Sequence, residues 1–294
     1  DSSSPIFYRC LKCDARGIVT NEVLNDLQLS PSIQTTENLR NYNRKIIKKN
    51  KLVNSNSENY AVPLYTSSTL NDMKLKYISM RLGIDLTYQD AHDLKVVLDI
   101  FEFIKFNEIN AIPGVSFNKL NFLNNNYVGW LSTNNNCITF RRISDNPNMM
   151  RYIKITLNPA NVNGNTFYSI PNKIDLMYTD DINIHIAEGT FDIVSVFKNV
   201  MNSNLDKNYY YASCGFGFLT IIKYLIANGI NTGLNIHIYS DNDKSDSDHT
   251  SYLFKNSDVN PWINHIYIHR NGFENEKDYG VPSERIIDTK RKLK

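Results

Sequence analysis

Two acidic residues stand where a predicted strand gives way to a predicted helix. In residues 182–187, apolar and polar side chains alternate, which is typical of a β-strand. Over 193–200 the apolar residues recur every three to four positions, which is typical of a helix. Glu188 and Asp192 lie between the two patterns, and Gly189 allows the backbone to turn tightly there. In an open parallel sheet, such a turn lies at the carboxyl end of a strand, where ligand sites form.

A second acidic pair follows a second predicted strand. Residues 235–240 alternate in the same way, and Asp241 and Asp243 come directly after them. If the two strands are parallel neighbours, Glu188 meets this pair at one edge of the sheet. Three carboxylates at one place repel one another unless a cation lies among them, and oxygen ligands of this kind suit Mg²⁺ or Mn²⁺. The spacing therefore predicts a divalent metal site.

These motifs together resemble the TOPRIM domain of bacterial and phage DNA primases, topoisomerases and some nucleases. The resemblance covers about residues 180 to 280 and rests on Glu188-Gly189-x-x-Asp192, Asp241-x-Asp243 and a later Lys277-Asp278 turn. For a primase it implies metal-dependent nucleotidyl transfer, in which two divalent ions promote attack of a 3′ hydroxyl on the α-phosphate of a nucleotide. It assigns Asp241 and Asp243 as the principal ligands and Asp192 or Asp278 as assisting groups. Glu188 is either a further ligand or the general base.

The chain departs from the primase pattern at one position. Primases commonly carry a second acid two positions after the Lys-Asp motif, whereas Gly280 stands there in this sequence. The departure implies either fewer ligands for the second ion or substitution by Glu274, Glu276 or Glu284.

A Cys-x-x-Cys motif near the start is half of a possible zinc site. Cys10 and Cys13 can provide two of the four ligands that a structural zinc needs. The aromatic residues before them, and the glycine and amphipathic run after them, resemble the second half of the zinc-binding module that precedes TOPRIM in primases. On this interpretation the module is truncated and its other ligands lie upstream of Asp1. The alternative is a pair of reduced surface cysteines.

Basic residues in the middle of the chain form a second group of candidates. Three β-like stretches, 128–131, 137–142 and 151–155, loosely resemble the antiparallel sheet of the primase N-terminal catalytic subdomain. The resemblance predicts that basic residues bind template or nucleotide phosphates; in this sequence they are Arg141, Arg142, Arg151, Lys154 and Lys277. The alternative is that these are ordinary surface residues.

Composition limits the other possibilities. The 294 residues suffice for two modest domains, and the net charge of +2 gives no overall basic field. Four cysteines argue against a disulfide framework and for a reducing compartment. No apolar run is long enough to span a bilayer and no signal peptide opens the chain, so we expect a cytoplasmic location in a bacterial or phage-infected cell.

We therefore predict an α/β protein with a TOPRIM parallel sheet flanked by helices, preceded by a mixed α+β primase subdomain. The expected divisions are a zinc-module remnant (1–30), a linker (31–60), the N-terminal subdomain (61–170), the TOPRIM domain (171–288) and a flexible basic tail (289–294). The expected function is synthesis of RNA primers on single-stranded DNA from ribonucleoside triphosphates, with a replicative helicase as partner. The alternatives are a TOPRIM nuclease, a topoisomerase-type strand transferase and a non-catalytic nucleic-acid-binding module.

Overall fold

The structure is a computed structural model. It describes residues 60–157, 167–172, 182–214, 217–227, 233–245, 249 and 263–293, together with the backbone of 7–9 and 16–18. The chain divides into two units, Asp1–Ser57 with Asn256–Asp258, and Glu58–Lys255 with Val259–Lys294. In the first unit, strands β1 (Phe7–Arg9) and β2 (Arg16–Ile18) form an antiparallel pair. Cys10, Cys13 and the expected linker lie outside the described residues.

The second unit begins with helices around a four-stranded antiparallel sheet. The helices are α1 (Thr69–Leu82), α2 (Tyr88–Asp93), α3 (Ile100–Phe106) and α4 (Phe117–Asn126). The sheet, in spatial order, is β3 (Val96–Val97), β4 (Tyr127–Leu131), β5 (Cys137–Arg142) and β6 (Tyr152–Thr156). The hairpin from β4 to β6 matches the sequence prediction. The apolar spacing of Leu94, Val97, Leu98 and Phe101 is typical of a helix, but Val96 and Val97 pair with β4 as a short strand and α3 begins only at Ile100.

A six-stranded sheet forms the rest of this unit. Its strands, named in chain order, are β7 (Tyr168–Ser169), β8 (Ile182–Ala187), β9 (Asn208–Ala212), β10 (Leu234–Tyr239), β11 (Ile263–Asn271) and β12 (Asp288–Lys292). The spatial order is β12-β11-β10-β8-β9-β7. The four central strands are parallel, and the two edge strands are antiparallel to their neighbours. The chain passes from β8 to β9 on one side and then returns to β10 on the other, so the strand order reverses at β8 and β10.

Helices cover both faces of this sheet. On one face, α6 (Phe218–Ala227) packs with the isoleucines of β8 and β10 in one apolar cluster. On the other face, α5 (Thr190–Ser195) continues into a single π-helical turn, Val196–Val200. The Phe197 ring of that turn packs edge-on against Tyr210 of β9, with ring centres 5.1 Å apart. This second face shares its core with the four-stranded sheet, so the two sheets belong to one folded unit.

The expected flexible tail is instead a strand. Residues Asp288–Lys292 pair antiparallel with β11, and the Lys290 ammonium lies 3.9 Å from the centre of the Tyr267 ring. The five residues of β12 are all polar or charged and all exposed. Their sequence therefore shows none of the apolar alternation by which a strand is predicted. Within the described parts of the chain, no helix has the length and apolar composition needed to cross a membrane.

Two histidines are buried side by side in the parallel strands. His185 of β8 bonds to the Tyr239 hydroxyl through Nδ1 at 3.0 Å and to Asn208 Oδ1 through Nε2 at 2.9 Å. His237 of β10 stacks on His185 and bonds through Nδ1 to Nε2 of His269 at 2.9 Å. A neutral His185 ring satisfies both of these partners, as expected of a histidine with a structural role.

We expect these histidines to make the protein sensitive to mild acid. Burial lowers the pKa of His185 to about 4 and that of His237 to about 2, from an unfolded value of 6.5. Between pH 6.5 and about 4, the unfolded chain binds protons that the folded chain does not, so the free energy of unfolding falls as the pH falls. In urea unfolding, the loss between pH 7 and pH 5 should be about 1–2 kcal/mol smaller in His185→Gln than in the parent chain. His92→Gln, on α2, is the control; equal losses in the parent chain and His185→Gln would contradict the prediction.

Candidate active site

Carboxylates from separate loops meet at the carboxyl ends of the central strands. Strands β8 and β10 pair in parallel up to Ala187 and Tyr239, so Glu188 and Asp241 leave the sheet on the same edge. This edge lies where the strand order reverses, which is where open α/β sheets bind ligands. Glu188 and Asp241 line one cavity of about 260 Å³, together with Asp192 and Asp278. The juxtaposition predicted from the sequence is present.

Asp192 is fixed by the turn that begins α5. The Gly189 amide donates a hydrogen bond to Asp192 Oδ2 at 3.0 Å, which closes the turn back on itself. The other oxygen points toward Gly280: a Cβ atom placed there would lie 2.7 Å from Asp192 Oδ1 and 3.4 Å from Asp278 Oδ1. A side chain at position 280 would therefore displace Asp192. In this chain, the Asp192 carboxylate fills the space next to Asp278 that an acid at position 280 would need.

Burial and neighbouring carboxylates raise the pKa of two carboxyl groups of the cavity, those of Asp192 and Asp241. Burial, then the charges of Asp278 and Asp241, raises the pKa of Asp192 to about 7, although Arg81 acts in the opposite direction. Burial, then the charges of Asp278 and Glu188, raises the pKa of Asp241 to about 6. Ionised together, these groups carry more negative charge than the nearby Arg81 and Lys277 offset, and a bound cation would relieve the difference.

We expect Asp192→Asn to stabilise the metal-free chain at neutral pH. The raised pKa means that ionising Asp192 in the folded state costs free energy at pH 7.5, and this cost falls as the pH drops and the carboxyl becomes protonated. Melting in EDTA should therefore show a gain of at least about 1 kcal/mol at pH 7.5 and a smaller gain at pH 5. Asp206→Asn, on an exposed loop, is the control. A gain that does not change with pH would contradict this explanation.

Basic residues also line the cavity. Tyr152 and Lys154 come from strand β6, Arg151 immediately precedes that strand, and Arg81 comes from the last turn of α1. The centre of the Tyr152 ring lies 4.8 Å from the guanidinium carbon of Arg141 and 5.6 Å from that of Arg151. We call the basic lining residues the basic wall of the cavity, and the carboxylates that line it the acidic wall.

The two adjacent arginines of β5 point in different directions. Arg142 donates from Nη1 to the carbonyl oxygens of Asn146 and Met149 and so holds the loop that follows its own strand. Arg141 is paired with Tyr152 across the sheet and is buried. Its Nε and Nη1 atoms have no hydrogen-bond partner among the described residues. A buried guanidinium with free donors beside Tyr152 is a site for an anionic group.

Arg81 was not identified from the sequence. Its guanidinium carbon lies 4.7 Å from the centre of the Phe191 ring, and its buried Nε has no partner within the described part of the chain. No local pattern signals this placement, because α1 and the α5 turn are more than 100 residues apart in the sequence. Cys214, which also lines the cavity, was not identified from the sequence either.

Two of the predicted site residues lie at the rim of the cavity. Asp243 is not among the described residues that line it; its Oδ2 is 2.7 Å from the ammonium of Lys277. The Lys277 ammonium is also 4.0 Å from Asp241 Oδ2. His249 follows the acidic loop in the sequence, but its Nε2 lies 2.7 Å from the Ser240 hydroxyl oxygen.

The donors of the acidic wall suit a hard cation. They are carboxylate oxygens only, and burial together with neighbouring carboxylates raises the pKa of Asp192 and Asp241. As placed, no three His, Cys, Asp or Glu residues of the described segments form a ready set of metal ligands. The residue types therefore fit Mg²⁺ or Mn²⁺, while the described side chains are not arranged around one.

No match to this chain was found among protein-family models, curated proteins or solved structures.

Proposed function

We propose that this chain is the catalytic core of a TOPRIM-type DNA primase, which synthesises short RNA primers on single-stranded DNA. The observation that carries the proposal is one cavity lined both by carboxylates and by basic side chains, namely Glu188, Asp192, Asp241 and Asp278 with Arg81, Arg151 and Lys154. A nucleoside triphosphate with divalent ions has the complementary charge pattern, since the ions need carboxylates and the phosphates need cations.

The acidic residues would hold the ions. Asp241 and Asp278 are the first candidates because both line the cavity and both act on the pKa of Asp192. Asp192 completes this set from the α5 turn, and Glu188 either adds a ligand or accepts the proton of the attacking hydroxyl. When bound, the ions would lower the barrier to attack by a 3′ hydroxyl and neutralise the leaving pyrophosphate.

The basic residues would orient the triphosphate. Arg81 and Arg151 carry planar guanidinium groups that can bind phosphate oxygens in pairs, and Lys154 of β6 supplies a point charge. Arg141 contacts the Tyr152 ring, has two donor atoms without a partner among the described residues, and would bind a phosphate that reaches it. Tyr152 itself would offer an aromatic face to a base.

Template, helicase and zinc belong to the same proposal. The basic wall would continue to the single-stranded template, and a replicative helicase would be the partner in the cell. Cys10 and Cys13 lie in the sequence between β1 and β2, and together with two further ligands they would hold the zinc of a primase module.

A synthesis assay tests the function directly. The chain is incubated with single-stranded DNA, labelled ribonucleoside triphosphates and Mn²⁺, and the products are separated by length. New oligoribonucleotides support the proposal; cleavage of the template identifies a nuclease, which needs the acids but not the basic wall. If the chain neither synthesises nor cleaves, a repeat with a chain that includes a complete zinc module decides, and failure of both overturns the primase assignment.

A further inference from the structure

The turn that carries Asp241 and Asp243 is fastened to the segment that carries Lys277. Asn242, between the two acids, donates its backbone amide to the Lys277 carbonyl oxygen at 2.8 Å. Its side-chain amide donates to the carbonyl oxygens of Asn271 and Glu276, each at 2.8 Å. Three hydrogen bonds from one residue thus fix the backbone of Lys277 beside both acids.

The Lys277 side chain places a positive charge between these two carboxylates. Its ammonium is 2.7 Å from Asp243 Oδ2 and 4.0 Å from Asp241 Oδ2. The hydrogen bond from Lys277 holds the pKa of Asp243 below its usual value. The ammonium therefore occupies a position in which a cation would contact both members of the Asp-x-Asp motif.

The same ammonium also interacts with a residue of the basic wall. Its bond to Asp243 raises the pKa of Lys277, while the charge of Arg151, which lines the cavity, acts in the opposite direction. The side chain is more than half exposed, and its four-carbon stem leaves it free to turn from one wall to the other.

We propose that Lys277 is a built-in counter-ion, which a divalent cation displaces from Asp241 and Asp243 and which then binds a phosphate of the substrate. The inference rests on the proposed function for the identity of the cation and the triphosphate. It adds that metal and triphosphate binding are coupled through one side chain: each ligand favours the position of Lys277 that the other requires, and coupling of this kind is reciprocal.

The expected change in metal affinity is modest, because the ion pair between Lys277 and Asp243 is exposed. Exposed ion pairs contribute little to stability, so a divalent ion can replace the ammonium easily. The ammonium still competes with the ion and repels it, which at these distances in water corresponds to a change of roughly three- to tenfold in affinity. A neutral side chain of similar length should therefore tighten metal binding and weaken triphosphate binding.

The test measures Mn²⁺ binding by electron paramagnetic resonance, with inorganic triphosphate as the second ligand. In Lys277→Met, the Mn²⁺ dissociation constant should fall about three- to tenfold, and triphosphate affinity in saturating Mg²⁺ should fall by a similar factor. Lys277→Arg keeps the charge and should keep the Mn²⁺ affinity of the parent chain, and Lys119→Met, on exposed α4, should change neither value. Lys277→Gln provides a second neutral variant.

Two results separate this inference from the function on which it rests. If Lys277→Met and Lys277→Gln bind Mn²⁺ no more tightly than the parent chain while Asp241→Asn binds it more weakly, the counter-ion inference is wrong and the metal site stands. If Asp241→Asn binds Mn²⁺ as well as the parent chain, the metal site itself is wrong. Tighter Mn²⁺ binding with unchanged triphosphate affinity would overturn the second step, in which the ammonium binds phosphate.

Discussion

Asp241→Asn should abolish primer synthesis. The substitution keeps the size of the side chain but removes the negative charge that this residue brings to the end of β10, where it lines the cavity with Glu188 and Asp278. Metal-dependent phosphoryl chemistry depends on that charge, so we expect a loss on the order of 10³-fold in turnover. Initial rates of labelled primer formation at saturating Mg²⁺ measure it.

The fold of this variant should remain intact, since an asparagine removes like-charge repulsion that raises the pKa of Asp241. Melting in EDTA should show equal or higher stability at pH 7.5. Asp243→Asn gives a graded comparison: its carboxylate lies at the rim, paired with Lys277, so its loss should cost less than that of Asp241. Asp241→Asn with full activity, or with a smaller loss than Asp243→Asn, would refute the assignment of Asp241 as the principal ligand.

Arg81→Met should reduce kcat/KM for the nucleotide by about 10²-fold. Methionine retains an unbranched stem that can lie against the Phe191 ring, so the change removes mainly the guanidinium that faces the cavity. A hydrogen bond from such a group to a phosphate is charge-assisted, and losing it in a partly buried site costs about 2–3 kcal/mol. Rates at several nucleotide concentrations give the value.

This variant should also change the pH dependence. The charge of Arg81 lowers the pKa of Asp192, so its removal should raise that pKa and move the acidic limb of the pH–rate profile to higher pH. Arg81→Lys keeps the charge and should leave the limb in place while losing part of the affinity, and Lys119→Met controls for a charge lost elsewhere. An acidic limb that does not move in Arg81→Met would show that Arg81 does not act on Asp192.

The acidic half of the candidate site could be predicted because it depends on local pattern. Alternation in 182–187 and 235–240 identifies two strands, and parallel pairing then brings Glu188 and Asp241 to one edge. The basic half could be predicted only in part. Adjacent residues of a strand face opposite sides, so Arg141 and Arg142 could not both approach the cavity. The structure shows that Arg141 contacts Tyr152, which lines the cavity, whereas neither arginine is among the described residues that line it.

Features that depend on distant contacts were not visible in the sequence. Arg81 reaches the cavity because α1 packs against the α5 turn, which no local pattern encodes. Strand β12 consists of exposed polar and charged residues, and only its hydrogen bonds to β11 make it a strand. The role of Gly280 also required coordinates, since it depends on where the Asp192 carboxylate lies.

The aromatic contacts behind the cavity have a consequence for how substrates are selected. Phe191, beside Asp192, packs against Trp130 of β4 with ring centres 4.8 Å apart and against Tyr77 of α1 at 6.0 Å. Further along the same helix, Asn199 donates to the Leu82 carbonyl oxygen at 2.9 Å and Lys198 pairs with Asp90 at 3.0 Å. Close packing of this kind deforms little, so the width of the cavity is set before any ligand binds. On the proposed function, the preference among nucleotides would follow from which of them fit that fixed width.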